Sequence, residues 1–170
     1  MKQAVSVSIK EKQDVKWYSV KWRNGRGGEE LQLKSAEFPR PELEWTLEAF
    51  AEFIPLITCI PKEKIKWCLI AGATYHYNKT TGAVALSLGV ALENTAGYQL
   101  EFKTPAKRLD YENPDFEKST LWEDRYTLLA KKLEEEILLY SEGKRAQTEL
   151  DFDGEEKALP PGNPIESVSL

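Results

Sequence analysis

The first 35 residues alternate between apolar and polar positions, which is the pattern of half-buried strands. The strongest of these stretches, residues 15–23, is also rich in Val, Trp and Tyr, which favour strands. Asn24-Gly25 follows and predicts a tight hairpin turn, because both residue types tolerate positive φ. The alternating apolar positions on either side are Val5, Val7 and Ile9, and then Leu31 and Leu33. The chain therefore opens with a predicted three-stranded antiparallel meander.

The middle of the chain combines one helix with further strands. Residues 41–54 repeat apolar side chains at helical spacing, and Pro41 suits the first helical position. Pro55 is expected to end this helix. Strands are then predicted at residues 64–71, 74–78, 83–92 and 97–103.

The clearest helical pattern covers residues 120–142. Thr120 and Glu123 have the spacing of a capping box, with Thr120 as the N-cap. Gly143 lies where a C-terminal cap belongs. The apolar face consists of Trp122, Tyr126, Leu129, Leu133, Ile137 and Tyr140.

These elements predict a single α+β domain over residues 1–142. Its largely antiparallel sheet would have six or seven strands, covered by two amphipathic helices. A duplication of two sheet-plus-helix units is the other architecture that this order allows. Residues 143–170 contain several prolines, glycines and acids without helical or strand periodicity, and are interpreted as an extended acidic tail.

Composition removes several classes of function. The 170 residues contain a single histidine and two cysteines, which excludes most zinc sites and most Ser-His or Cys-His catalysis. No apolar run approaches the roughly 18 residues that span a bilayer, and no signal peptide is recognisable. We therefore expect a cytoplasmic, non-enzymatic protein that has no catalytic residues, no metal, no cofactor and no membrane contact.

A basic and aromatic hairpin is the first candidate binding site. Residues 1–110 hold 16 Lys and Arg against 13 Asp and Glu, whereas residues 111–170 hold 7 against 15. In the second predicted strand, alternation places Trp17 with Lys21 and Arg23, and Tyr18 with Trp22 on the opposite face. An aromatic among cations can stack on bases and attract phosphates. The predicted nucleic-acid-binding residues are Lys16, Trp17, Lys21, Arg23 and Arg26. The alternative is that Trp17 merely covers a lysine stem at the surface.

The second candidate lies in the tail. Gln147, Leu150 and Phe152 match the Q-x-x-L-x-F pattern with which bacterial replication and repair proteins dock on the sliding clamp. Leu150 and Phe152 would fill an apolar groove, while Gln147 would supply an orienting hydrogen bond. In the alternative interpretation, Leu150 and Phe152 pack against the protein's own sheet.

Several segments together resemble a family of small uncharacterised proteins from tailed phages and prophages. These segments are WYSVKWRNG, AEFPRPELEWTLEAF and LEFKTPAKRL, followed by a final helix that runs into EGKRAQTELDF. The resemblance implies an early phage gene for DNA replication or recombination and assigns no activity. This chain departs from the family pattern in two places. Asp151 is inserted between Leu150 and Phe152, and further residues follow Phe152.

The preferred hypothesis is a non-enzymatic phage DNA-metabolism accessory protein that binds single-stranded DNA, docks on a sliding clamp through its tail, or does both. One alternative is a protein-interaction module that inhibits or redirects a host enzyme. Another is an oligomeric binder of small nucleotides. Convergence of the hairpin's Lys and Arg on one concave surface would favour DNA, and dispersal would favour a protein partner.

Overall fold

The computed structural model describes residues 1–93, 96–97, 99–113, 115 and 117–146, which form an antiparallel sheet with helices on one face. The strands are β1 (Lys2–Lys12), β2 (Val15–Asn24), β3 (Glu30–Ser35), β4 (Cys68–Tyr77), β5 (Val84–Glu93), β6 (Gln99–Lys103) and β7 (Lys107–Arg108). The helices are α1 (Pro41–Ala49), α2 (Ile54–Ile57) and α3 (Trp122–Ser141). The predicted α+β class, with an antiparallel sheet and two longer helices, is confirmed.

The strand order is β3-β2-β1-β4-β5-β6, and β7 also pairs with β5. The connection through α1 and α2 carries the chain from edge strand β3 to β4, which pairs with β1 at the centre of the sheet. Only three residue pairs join β1 to β4, from Ser6–Thr74 to Ser8–Gly72. The two strands therefore separate beyond Thr74, towards one end of the sheet.

The core lies between the sheet and the helix layer. Alternate strand residues meet the apolar stripe of α3, in which Leu133 is completely buried. The Tyr75 hydroxyl donates to the Ala130 carbonyl at 2.5 Å, and the Tyr126 hydroxyl donates to the Leu86 carbonyl at 3.0 Å. These bonds satisfy buried polar groups and fix α3 across the sheet.

The sequence predicted that Pro55 ends the first helix, and the structure shows a different arrangement. After α1 the chain continues as a 3₁₀ turn at Phe50–Phe53 and then as α2, where Pro55 lies in the first turn. The first N–H groups of a helix have no intrahelical partner, so a residue without an N–H is accommodated there. Pro55 thus begins a helical turn instead of ending one.

The predicted capping box at Thr120 is also wrong. The N-cap of α3 is Leu121, one residue later, and it forms no side-chain capping hydrogen bond. Ser119 Oγ instead accepts the N–H of Leu121 at 3.2 Å. The one-residue shift leaves Thr120 outside the helix and moves Glu123 out of the third helical position.

The C-terminus of α3 is as predicted. Gly143 has φ +93°, a conformation that suits glycine, and the N–H of Lys144 donates to the Leu139 carbonyl at 3.0 Å. Together with the Gly143 N–H bond, this is a Schellman motif. Arg145 Nε then donates to Glu37 at 2.7 Å. The first residues of the predicted tail therefore pack on the folded body.

The segments predicted as separate strands at 64–71 and 74–78 belong to one strand. A 3₁₀ turn at Lys62–Trp67 leads directly into β4. Gly72 does not interrupt this strand, because a bulge between Ile70 and Gly72 accommodates the extra residue.

Candidate functional site

The sheet face opposite the helices carries a concave groove of about 520 Å³, which we call the trough. Strand alternation sends one set of side chains into the core and the other set into the trough. Many of the trough side chains are small, namely Ser6, Ser8, Ser19, Gly72, Thr74, Gly89 and Ala91. Because small side chains leave the backbone accessible, an extended or flat ligand can lie close to the sheet.

The shape of the trough follows from irregularities in its two central strands. β1 has a bulge between Ala4 and Ser6, and β4 has its bulge beside Gly72. A Cβ atom at Gly72 would lie 2.6 Å from the Val7 carbonyl oxygen, so glycine permits the close approach of β1 and β4. Bulges bend the strands that contain them, which accounts for the concave surface.

The trough is the basic side of an acidic protein. Among the described residues it is lined by Lys10, Lys21 and Lys103 against a single carboxylate, Glu101. The helix layer on the other face is acidic. α1 contains three Glu and no Lys or Arg, while α3 contains five acids against three bases. With a net charge of −5, the chain thus concentrates positive charge on the face that no helix covers.

Trp17 lies on the same face as the trough. It pairs with Lys10 across β1 and β2, and it is half-buried. Lys34 Nζ lies 5.6 Å from the centre of the Trp17 ring. Lys21, four residues beyond Trp17 on β2, pairs with Ser6, and its Nζ lies 3.6 Å from Glu30. The exposed ion pair contributes little to stability, so Lys21 remains accessible to an anion.

Lys16 lies on the opposite face. Its Nζ is 3.8 Å from Glu44 of α1, and the same glutamate accepts a hydrogen bond of 2.5 Å from the Tyr18 hydroxyl. Burial and Glu44 both raise the pKa of Tyr18, so its hydroxyl stays protonated as the donor. Lys16 therefore contributes to the joint between β2 and α1 and is separated from Trp17 and Lys21.

Arg23 and Arg26 line a second cavity of about 250 Å³, which we call the end cavity. It lies between the β2–β3 turn and the β4–β5 turn, where β1 and β4 have separated. Lys79 is its third cation, and Tyr77 and Gln3 complete the part of the wall closest to Arg23. No carboxylate of the described residues lines this cavity.

Arg23 is held in place inside the end cavity. Its Nε donates to Gln3 Oε1 at 3.1 Å, and its guanidinium carbon lies 4.5 Å from the centre of the Tyr77 ring. Burial raises the pKa of Tyr77, whose hydroxyl donates to the Ala4 carbonyl at 2.6 Å. Tyr77 is therefore a neutral, fixed support for the arginine.

The structure thus brings together only part of the predicted set. Trp17 and Lys21 share the trough face, whereas Arg23 and Arg26 share the end cavity, and Lys16 joins neither. Sequence reasoning did not identify the other cations, which are Lys10, Lys103 and Lys79. Lys10 had a usable signal, since it continues the alternation of β1 on the polar side. Lys103 and Lys79 are brought close only by the pairing of distant strands.

The predicted clamp-docking residues Gln147, Leu150 and Phe152 lie outside the described residues. Within the described part of the chain, no helix is long and apolar enough to cross a bilayer. The same residues form no group of three His, Cys, Asp or Glu side chains that could hold a metal ion.

Comparison with known proteins adds no relative to this description. No protein-family model, no curated protein and no solved structure matches the chain.

Proposed function

We propose that the protein binds single-stranded nucleic acid along the trough, as a non-enzymatic accessory factor of DNA metabolism. The observation that carries the proposal is the concentration of lysines on the helix-free face of a protein whose net charge is negative. Phosphates are attracted to such a face even when the whole molecule is acidic, because the local field acts at short range in salt.

The floor and rim of the trough suit a single strand better than a duplex. A concave groove floored by Ser, Gly and Ala admits a sugar-phosphate chain close to the sheet. Trp17 stands on the same face and offers a ring on which a base can stack. Binding of this kind does not depend on sequence, since every base has a flat face and every nucleotide has a phosphate.

The resemblance to phage and prophage early proteins supports a role in replication or recombination within the host cytoplasm. The tail motif extends the same proposal, with Gln147, Leu150 and Phe152 docking on the host sliding clamp. The two parts can be tested separately, because the trough is formed by described residues and the motif follows the last of them.

Trp17 provides the direct test. Trp17→Ala should weaken binding of a fluorescently labelled oligothymidylate by about 1–3 kcal/mol, because one stacked base is lost. Fluorescence anisotropy at low salt measures this change. Trp45→Ala is the matched control, since Trp45 is 63% exposed on α1, in the opposite layer. Equal binding by wild type and Trp17→Ala, or an equal loss in both variants, would reject the stacking role.

A further inference from the structure

The end cavity has the features of an anion site that the proposed strand binding does not require. Arg23, Arg26 and Lys79 converge on about 250 Å³, with no carboxylate among the described lining residues. None of these three cations forms an ion pair with a carboxylate elsewhere in the described part of the chain. Within the described structure, no carboxylate therefore contacts these three cations directly, and the nearest one in the sheet register, Glu30 opposite Arg23, pairs with Lys21.

The geometry of Arg23 is prepared for a ligand. Gln3 accepts a hydrogen bond from the Arg23 Nε–H, and the guanidinium group lies over the Tyr77 ring. The guanidinium group is therefore already oriented. The planar guanidinium can then offer its terminal N–H groups to a phosphate as a pair. An oriented donor loses less entropy on binding than a free side chain does.

The two turns complete the cavity. Arg26 Nη2 would lie 2.8 Å from a Cβ atom placed on Gly82, so the arginine lies directly against the glycine backbone. Gly82 also has φ +73°, which the β4–β5 turn requires. Asn78 fixes this turn, because its Oδ1 accepts the N–H groups of Thr80 and Thr81 at 2.9 and 3.0 Å. Lys79 is therefore carried by an ordered turn.

We infer that the end cavity binds a phosphate monoester. Three cations match the charge of a monoester, about −1.5 to −2 at neutral pH, better than the single charge of a phosphodiester. The group can come from the phosphorylated end of a nucleic acid strand or from a free nucleotide. Arg23 is only two residues beyond Lys21 of the trough on β2, about 7 Å of strand.

Binding of phosphate alone is the first test. Inorganic phosphate and thymidine 5′-monophosphate should raise the thermal unfolding temperature of the full chain above that in sodium chloride of equal ionic strength. In Arg26→Gln/Lys79→Gln, calorimetric affinity for the monophosphate should fall at least tenfold. Both substituted residues are exposed, so the fold should persist, which circular dichroism checks. Lys62→Gln/Lys64→Gln is the control, since it removes the same charge from an exposed turn.

Oligothymidylates with and without a 5′-phosphate identify the source of the group. If strand ends bind, the 5′-phosphate should tighten binding at least tenfold in wild type and have no effect in Arg26→Gln/Lys79→Gln. If free nucleotides bind instead, wild type should bind thymidine 5′-monophosphate, but a 5′-phosphate should not change its affinity for the oligothymidylate. The inference is overturned if phosphate and chloride act equally on wild type, or if the control pair loses as much affinity. The measurements with phosphate and thymidine monophosphate use no oligonucleotide. They therefore test the end cavity even if the trough binds no strand.

Discussion

A difference of one residue decides the role of each basic or aromatic side chain in β2. Lys16 and Tyr18 meet Glu44 in the helix layer, while Trp17 and Lys21 face the trough. The alternation of strand side chains predicts the face of Lys16, because Lys16 and Tyr18 are both at even positions of β2. The charge of Lys16 places it among the predicted nucleic-acid-binding residues, but the alternation is the better guide to its position.

Glu134 supports a prediction about pH. It lies half-buried in α3 and accepts a hydrogen bond from the Ala4 backbone, yet burial raises its pKa above the ordinary value. The folded protein therefore holds this proton more tightly than the unfolded chain does. Stability should fall as pH rises from the ordinary pKa of glutamate through the raised one, and the loss is complete above the raised value.

Glu134→Gln should consequently be more stable than wild type at neutral pH, since the amide oxygen can still accept the Ala4 bond without burying a charge. The gap should close below the ordinary pKa of glutamate, about 4.3, where both forms are neutral. Urea unfolding at the two pH values measures it. Glu48→Gln, at an exposed position of α1, should show neither effect. A gap independent of pH would contradict the assignment.

Leu133 tests the packing of the core. It is 0% exposed, so Leu133→Ala should lower the free energy of unfolding by about 2–5 kcal/mol through lost burial and a residual cavity. Leu121→Ala is the control because Leu121 is 64% exposed, and its effect should stay within about 0.5 kcal/mol. Similar losses in both variants would show that Leu133 does not occupy the core.

At the scale of elements, the sequence predicted where α3 lies better than how it begins. Six apolar positions at helical spacing fixed the face, and the positive φ at Gly143 confirmed its end. The beginning depends on which single residue has extended backbone before the first turn. Leu121 takes that conformation, with φ −67° and ψ 139°, although it cannot cap. Local propensity favoured Thr120 as the N-cap, but the extended residue is Leu121 and the helix begins at Trp122.

Leu121→Ser should therefore stabilise the protein by about 1 kcal/mol. A serine at the true N-cap supplies an oxygen for an N–H of the first turn, which the described structure leaves without a side-chain acceptor. Thr120→Ala should be almost neutral, because Thr120 lies outside the helix. Thermal or urea unfolding of the two variants distinguishes the positions. A large loss in Thr120→Ala would restore the capping box.

The strands show a similar division. Alternation located β1, β2 and β3 to within a few residues, because β1 and β2 each have one buried and one open face and Leu33 of β3 packs against the core. It divided β4 in two, since Gly72 interrupts the apolar run and the bulge there changes the parity of the following residues. Pairing between β1 and β4 joins distant segments, so neither the trough nor its Lys103 could be read from local pattern.

At the scale of the whole molecule, charge is arranged by layer. The open sheet face collects lysines and the helix layer collects glutamates, although the sequence shows chiefly a difference between its two halves. The lysines and arginines of the hairpin converge in part: Lys21 lines the trough, and Arg23 and Arg26 line the adjoining end cavity. Lys34 lies over the Trp17 ring on the same sheet face. Lys16 is the exception, and its position makes it useful as a control.

Neutralising the trough is the last prediction. Lys10→Ala/Lys21→Ala/Lys103→Ala should reduce the slope of log affinity against log salt for an oligothymidylate by about 2, since each single-strand phosphate contact contributes about 0.7. Lys16→Ala/Lys131→Ala/Lys132→Ala removes the same charge from the helix side, and both variants change the net charge from −5 to −8. Any effect of total charge is therefore equal in the two proteins, and only the position of the lysines differs. A slope that falls in the first variant alone assigns binding to the trough. A slope that falls equally in both assigns it to general charge, and the trough then binds no strand.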